Sequence, residues 1–193
     1  MIIGITGGTG CGKTTLLNCI RDMGGLVIDC DAVYHRLLRT DKAMLDSIEN
    51  AFPGTVTDGT LDRKALGRIV FGDPEALLAL NAITHTAVKA EVLRLLEAKP
   101  VLAAIDAIGL FEGGLAQLCD VTVAVTAPED MRVQRLMARE GISEEYARKR
   151  IAAQKDNAHY ASLCDHVLEN NGTQAQFRDK CLAFFAGLDI MKP

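Results

Sequence analysis

The chain has 193 residues, 49% of them apolar and 24% charged, with a formal net charge of -4. That length suits one compact domain with room for a small appended lobe and a sizeable core. The mild acidity and ordinary composition exclude a typical nucleic-acid binder and leave a small molecule as the expected partner.

Six cysteines (Cys11, Cys19, Cys30, Cys119, Cys164, Cys181) form no C-x-x-C pair, and no Cys or His spacing suits a structural zinc. Reduced, mostly buried thiols are expected. Met1 to Thr6 is apolar but too short for a signal or membrane segment and runs straight into glycines. The expected setting is the cytoplasm, with no membrane contact and no obligatory protein partner.

Ile2 to Thr6 reads as a short buried strand. From Lys13 the apolar residues Leu16, Leu17, Ile20 and Met23 recur at helical spacing until Gly24-Gly25 stops the helix. Leu26 to Asp29 gives a second strand. Val101 to Asp106, Val121 to Thr126 and His166 to Leu168 are apolar and often β-branched, as strands buried on both faces should be. Helices between them imply right-handed crossovers and an α/β architecture with a doubly wound, mainly parallel sheet of five strands.

The stretch between the second and third of these strands is about seventy residues, far longer than one crossover requires. Asp58-Gly59 marks a turn in it, Asp73-Pro74-Glu75 starts a helix, and Thr86 to Ala98 carries Val88, Val92, Leu95 and Leu96 at helical spacing. It reads as an inserted, mainly helical lobe, about 32–100. Pro128-Glu129-Asp130 opens a helix that ends at Gly141, and Ser143 with Glu144 and Glu145 opens another, an arginine-rich hairpin within about 128–159. The rest, 1–31, 101–127 and 160–193, reads as the core of a single domain.

Gly7-Gly8-Thr9-Gly10-Cys11-Gly12-Lys13-Thr14 matches G-x-x-x-x-G-K-[ST] between a predicted strand and a predicted helix. Glycines let backbone N–H groups turn in around phosphate oxygens, and the helix N-terminus adds positive potential. Lys13 is placed to bridge the terminal phosphates of ATP, and the Thr14 hydroxyl to ligate Mg²⁺. Asp29 and Asp31 close the second strand, at the carboxyl edge where open α/β sheets bind ligands. A carboxylate there is either a proton acceptor for an attacking hydroxyl or a turn and helix cap; both readings stand. Asp106 ends an apolar strand as a Mg²⁺-holding acid would. Glu112 is a second pocket carboxylate or a surface acid. Arg132, Arg135 and Arg139 share one helix face, which favours at least one phosphate contact over a purely solvated surface. His85, just ahead of the apolar run, is a helix N-terminal contact or a substrate contact.

With these residues in hand the chain resembles the dephospho-CoA kinase family, a P-loop kinase group, over nearly its full length. The resemblance rests on Ile3-Gly4-Ile5-Thr6-Gly7-Gly8 with its loop, Val27-Ile28-Asp29-Cys30-Asp31, Asp58 to Leu66 with Val70-Phe71, and Asn81-Ala82-Ile83-Thr84-His85. It rests also on Arg135 to Arg139, Gln154 and Glu169-Asn170-Asn171-Gly172. The resemblance implies ATP with Mg²⁺ as donor and the ribose 3′-hydroxyl of dephospho-CoA as acceptor. It implies that Asp31 is the base, that Lys13 and Arg139 act on the phosphates, and that Gly8 to Thr15 and Arg135 bind ATP, with Asn170 or Asn171 near the adenine. It implies that Arg63 and His85 contact the CoA-type substrate, with Asp31, Asp106 and Glu112 on the same side and Thr14 and Asp106 at the metal. Three positions depart from the family pattern. Ile108-Gly109 stands for Pro-Leu ahead of Leu110-Phe111-Glu112, Thr86 stands for a proline, and Tyr160 stands for a lysine.

Overall fold

Strand, glycine turn and helix follow one another at the start of the chain as their spacing predicts. The computed structural model describes residues 1–188. Its elements begin with β1 (Ile2–Thr6), α1 (Lys13–Asp22), β2 (Leu26–Asp29), α2 (Cys30–Thr40) and α3 (Lys42–Ala51). A hairpin of β3 (Val56–Thr57) and β4 (Thr60–Leu61) leads to α4 (Arg63–Val70) and α5 (Pro74–Leu96). Then come β5 (Ala103–Asp106), β6 (Val121–Thr126), α6 (Glu129–Glu140), α7 (Glu144–Ala152), α8 (Asn157–Leu163), β7 (His166–Glu169) and α9 (Gln174–Gly187). Two compact units result. One comprises Met1–Ile28, Pro100–Phe111 and the chain from Leu115 onward; the other comprises Asp29–Lys99 with Glu112–Gly114.

The first unit is built on a five-stranded parallel sheet in the order β2-β5-β1-β6-β7. β1 is central, with Ile5 level with Asp106 on one side and Val123 on the other. That position explains its unbroken apolar sequence, because both faces are covered. Ile3 and Ile5 pack with Leu16, Ile20, Val125 and Phe177. On the opposite face Gly4 lies so close to Cys119 and Leu110 that a methyl group there would fall 2.8 Å and 2.9 Å from their side chains. The third predicted strand is shorter than its sequence suggested: Val101 is 86% exposed, its carbonyl accepts from the Met1 amine, and the ladder starts at Ala103. α6 and α7 pack on each other through Val133, Leu136, Ala147 and Ile151, with Gly141 in the left-handed conformation ending α6.

The second unit is mainly helical, α2, α3 and α4 packing against α5. Asp58 and Gly59 both have positive φ (50° and 72°), so the predicted turn is the tip of the β3–β4 hairpin. One expectation is corrected here. The helix starting at Asp73 and the apolar run after His85 are one helix of 23 residues, capped by Asp73 at Glu75 and Ala76. No glycine or proline interrupts it after Pro74. The Thr84 and Thr86 hydroxyls bond back to Leu80 and Ala82 in their own helix instead of capping a new one. His85 is therefore mid-helix. By length and apolar composition α5 would also pass as a membrane span, with Thr84, Val88 and Val92 buried in its own unit.

Candidate active site

β1 delivers the chain into the phosphate loop with three glycines in conformations that side chains rarely adopt: Gly7 (φ 139°), Gly10 (φ 77°) and Gly12 (φ 98°). Space is as tight as the torsions. A methyl group on Gly7 would meet the Val125 carbonyl oxygen at 2.2 Å, and one on Gly12 the Asn170 Nδ2 at 2.2 Å. Gly12 caps α1 without any side-chain hydrogen bond, so the first amides of that helix are left without a side-chain cap. Lys13 folds over the loop and donates from Nζ to the Gly7 carbonyl at 2.6 Å. Thr14 is exposed on the first turn of α1, with Thr15 half-buried beside it. A glycine loop whose Gly7 and Gly12 positions leave no room for Cβ atoms, opening an uncapped helix and closed by a lysine, fits a polyphosphate.

Buried polar side chains brace the loop from behind. Asn170, 4% exposed, donates through Nδ2 to the Cys11 carbonyl at 2.9 Å and accepts through Oδ1 from Arg135 Nη2 at 2.9 Å. Arg135 also donates to the Gly10 carbonyl at 3.3 Å. Burial lowers the Arg135 pKa from its ordinary value, with the Cys11 thiol opposing. Gln154 Oε1 accepts from the Thr9 amide at 2.7 Å, and Arg132 Nε donates to the Thr9 carbonyl at 2.8 Å. Burial raises the Cys11 thiol above its usual range against the pull of Arg132 and Lys13, which makes it an inert wall of the loop.

The α6 arginines do not all reach the loop. Arg132 and Arg135 do; Arg139 is 58% exposed and pairs with Glu140, which also takes Arg150. Arg148 joins Glu129, Asp130 and Glu144 in a surface network. Helical rise accounts for the split, since Arg139 lies about 10 Å further along the axis than Arg132. Asn171 is spent differently from Asn170: its Oδ1 accepts from Lys180 Nζ at 3.1 Å. It borders a cavity of ≈ 370 Å³ with Glu169, Gly172 and Gln176.

Asp106 ends β5 half-buried, beside the last residues of β1 before the loop, and the Ala107 amide donates to the Ile5 carbonyl at 3.1 Å. Among the described residues no group of three or more His, Cys, Asp or Glu side chains could hold a metal by itself. One hydroxyl and one carboxylate, Thr14 and Asp106, fit Mg²⁺, which takes few protein ligands and completes its shell with phosphate and water.

In the second unit Asp29 and Asp31 differ in their partners. Asp29 caps α2, its Oδ1 accepting from the Ala32 amide at 2.9 Å. Asp31 is exposed in the first turn of α2 and makes no side-chain hydrogen bond within its unit. Arg63, at the start of α4, lies 3.2 Å from His35 Nδ1 through Nη2. His85 is half-buried on α5, and Glu112 is exposed in the short segment that belongs to this unit. Arg94 first and Arg36 next hold Glu91 well below the usual carboxylate range, at about 2.

Sequence reasoning named Arg132 only as one of three arginines on a face and Gln154 only within the family resemblance, and gave neither a place at the loop. Spacing gives the arginine face, but only the packing of α6 on the loop shows which turn of that face is buried.

A family description, dephospho-CoA kinase, matches residues 1–176. A dephospho-CoA kinase of Corynebacterium jeikeium is 36% identical over 191 residues, spanning 96% of this chain and 98% of its own length. A solved structure from Thermus thermophilus is 36% identical with a TM-score of 0.80, covering 100% of this chain and 98% of that one. The dephospho-CoA kinase of Campylobacter jejuni is 26% identical with a TM-score of 0.67, covering 97% and 96%. A phosphate loop at the mouth of a five-stranded parallel sheet, together with this full-length likeness, shows that the chain belongs to the dephospho-CoA kinase family.

Proposed function

We propose that this chain transfers the γ-phosphoryl group of ATP to the ribose 3′-hydroxyl of dephospho-CoA, giving coenzyme A and ADP. The observation that carries the donor half is the uncapped, glycine-lined N-terminus of α1 with Lys13 folded over it. Bound ATP with Mg²⁺ supplies the phosphoryl group and a cation that offsets charge on its oxygens. The loop from Gly8 to Thr15 holds the phosphates, Lys13 neutralises charge that develops during transfer, and Thr14 and Asp106 would hold the metal. Arg135 fixes the loop against the 170–172 segment, where Asn170 and Asn171 flank the adenine.

Asp31 supplies the acceptor half. α2 begins directly after β2, so its first turn follows the carboxyl end of a sheet strand, and the cap is already provided by Asp29. The Asp31 carboxylate is thus available to orient the 3′-hydroxyl and take its proton. Arg63 and His85 contact the substrate from the lobe at 32–100, and Glu112 from the short segment that joins the same unit. Residues 128–159 act as a lid that brings Arg139 to the phosphates and excludes water. Catalysis of this kind is mostly positioning and electrostatics. On this reading the reaction runs in the cytoplasm.

Purified protein incubated with MgATP and a panel of hydroxyl acceptors tests the assignment. Coenzyme A and ADP should appear in equal amounts from dephospho-CoA and from no other acceptor at a comparable rate. Turnover of a different acceptor with none of dephospho-CoA would overturn it.

A further inference from the structure

Arg132 is a buried cation with an unused donor. The residue is 3% exposed. Its Nε is committed to the Thr9 carbonyl at 2.8 Å, but its Nη2 is buried and has no hydrogen-bond partner. No carboxylate pairs with it among the described residues. Burying a charged group without satisfying it is costly, and such groups in native proteins call for an explanation in function or in a missing ligand.

The direction of the fork supplies one. A methyl group built on Gly8 would lie 2.4 Å from Nη2 and 3.0 Å from Cζ of Arg132, so the guanidinium edge rests directly on the loop at a position that only glycine leaves open. At Gly10 the added methyl would meet the Arg132 backbone at 2.9 Å, so the start of α6 is itself seated on the loop. Arg132 is therefore held in place at two points, with one N–H edge left over beside the amides that cradle phosphate. A guanidinium is planar, keeps its charge when buried, and pairs well with phosphate oxygens.

We infer that Arg132 is a phosphate-binding residue of the nucleotide site, its Nη2 donating to an oxygen of the bound triphosphate from the Gly8 side of the loop. The inference rests on the reading that the loop holds ATP. It adds to Lys13 a second cation held at the loop, Arg132 on the first turns of α6, in contrast to Arg139, which is exposed and paired with Glu140. Arg132 and Lys13 are thus both seated on the loop in this structure. Gly8 is needed for that contact as well as for the loop.

Arg132→Gln tests this, because the amide can keep a donor for Thr9 while removing the charge and the second N–H edge. The expected result is an ATP dissociation constant raised at least ~10-fold, a smaller rise for ADP, and an adenosine constant within ~2-fold of the parent, at an unchanged melting temperature. A loss that extends equally to adenosine would mark Arg132 as a structural brace and overturn the proposal, as would unchanged ATP affinity. Should the Gln variant fail to fold, the unmodified protein decides: inorganic triphosphate should shift and sharpen the Arg132 guanidinium ¹⁵N signals, and unaltered signals at saturation count against the contact. Lys13→Met separates the two readings. If that variant loses ATP and Arg132→Gln does not, only the Arg132 assignment fails; if Lys13→Met also binds ATP normally, the loop reading itself fails.

Discussion

Asn170 and Arg135 hold each other at 2.9 Å behind the phosphate loop, and each also donates to a loop carbonyl, Asn170 to Cys11 and Arg135 to Gly10. The pair ties the end of β7 and the middle of α6 to the same turn. The loop therefore owes its shape to side chains far away in sequence as much as to its own glycines.

Asn170→Ala should expose that dependence. It removes the shorter partner of each group, leaving the Cys11 carbonyl a 3.5 Å contact from Arg135 and the Arg135 Nη2 its 3.4 Å and 3.5 Å contacts to the carbonyls of residues 170 and 172, a cost of about 1–3 kcal/mol. Thermal unfolding with and without ATP checks it: the variant should melt lower, and ATP should raise its melting temperature less than it raises the parent's.

Two glycines with positive φ should behave differently when replaced by alanine. Gly24 (φ 78°) has nothing within 4 Å of an added methyl, so Gly24→Ala should cost only the left-handed torsion, about 1–2 kcal/mol. Gly7 (φ 139°) adds a 2.2 Å clash with the Val125 backbone, which no rotamer change relieves. Urea midpoints should show Gly7→Ala as the more damaging by at least ~1 kcal/mol, the usual scale of overpacking, and it should also lose ATP binding.

Acid stability should carry a contribution from Glu91. Arg94 first, and Arg36 next, depress its pKa from 4.5 to about 2. A depressed carboxylate pKa stabilises the folded state above the unfolded pKa and loses that contribution as pH falls through the folded one. The advantage of the parent over Glu91→Gln should thus be complete above about 4.5 and fade toward about pH 2. Because the Arg36 and Arg94 side chains are 44% and 59% exposed, added salt should shrink it as well. Urea midpoints measured across that range, at two salt concentrations, check both effects.

The donor half of the site was legible in sequence for a physical reason. Glycines at Gly7, Gly10 and Gly12 are demanded by torsion and space, and the buried strand before them cannot alternate because β1 is central. The acceptor lobe was less so. Asp73-Pro74 is a true helix start, but Thr84 and Thr86 bond within their own helix, so the run after His85 that read as a second helix is the same one. Arg132 was hidden by a different limit: periodicity places three arginines on one face of α6 and cannot say that the loop covers the first two and leaves Arg139 to solvent. Asp29 and Asp31 also look equivalent in sequence. Only the hydrogen bond from the Ala32 amide to Asp29 separates a cap from an uncommitted carboxylate.

That separation makes Asp31→Ala the most direct measurement of how the reaction proceeds. Turnover of dephospho-CoA and ATP affinity should be measured on the same preparation. Removal of the general base predicts a fall in kcat of at least ~100-fold with ATP affinity within a few-fold of the parent. Near-normal turnover in Asp31→Ala would contradict the account, since the acceptor hydroxyl would then be losing its proton elsewhere.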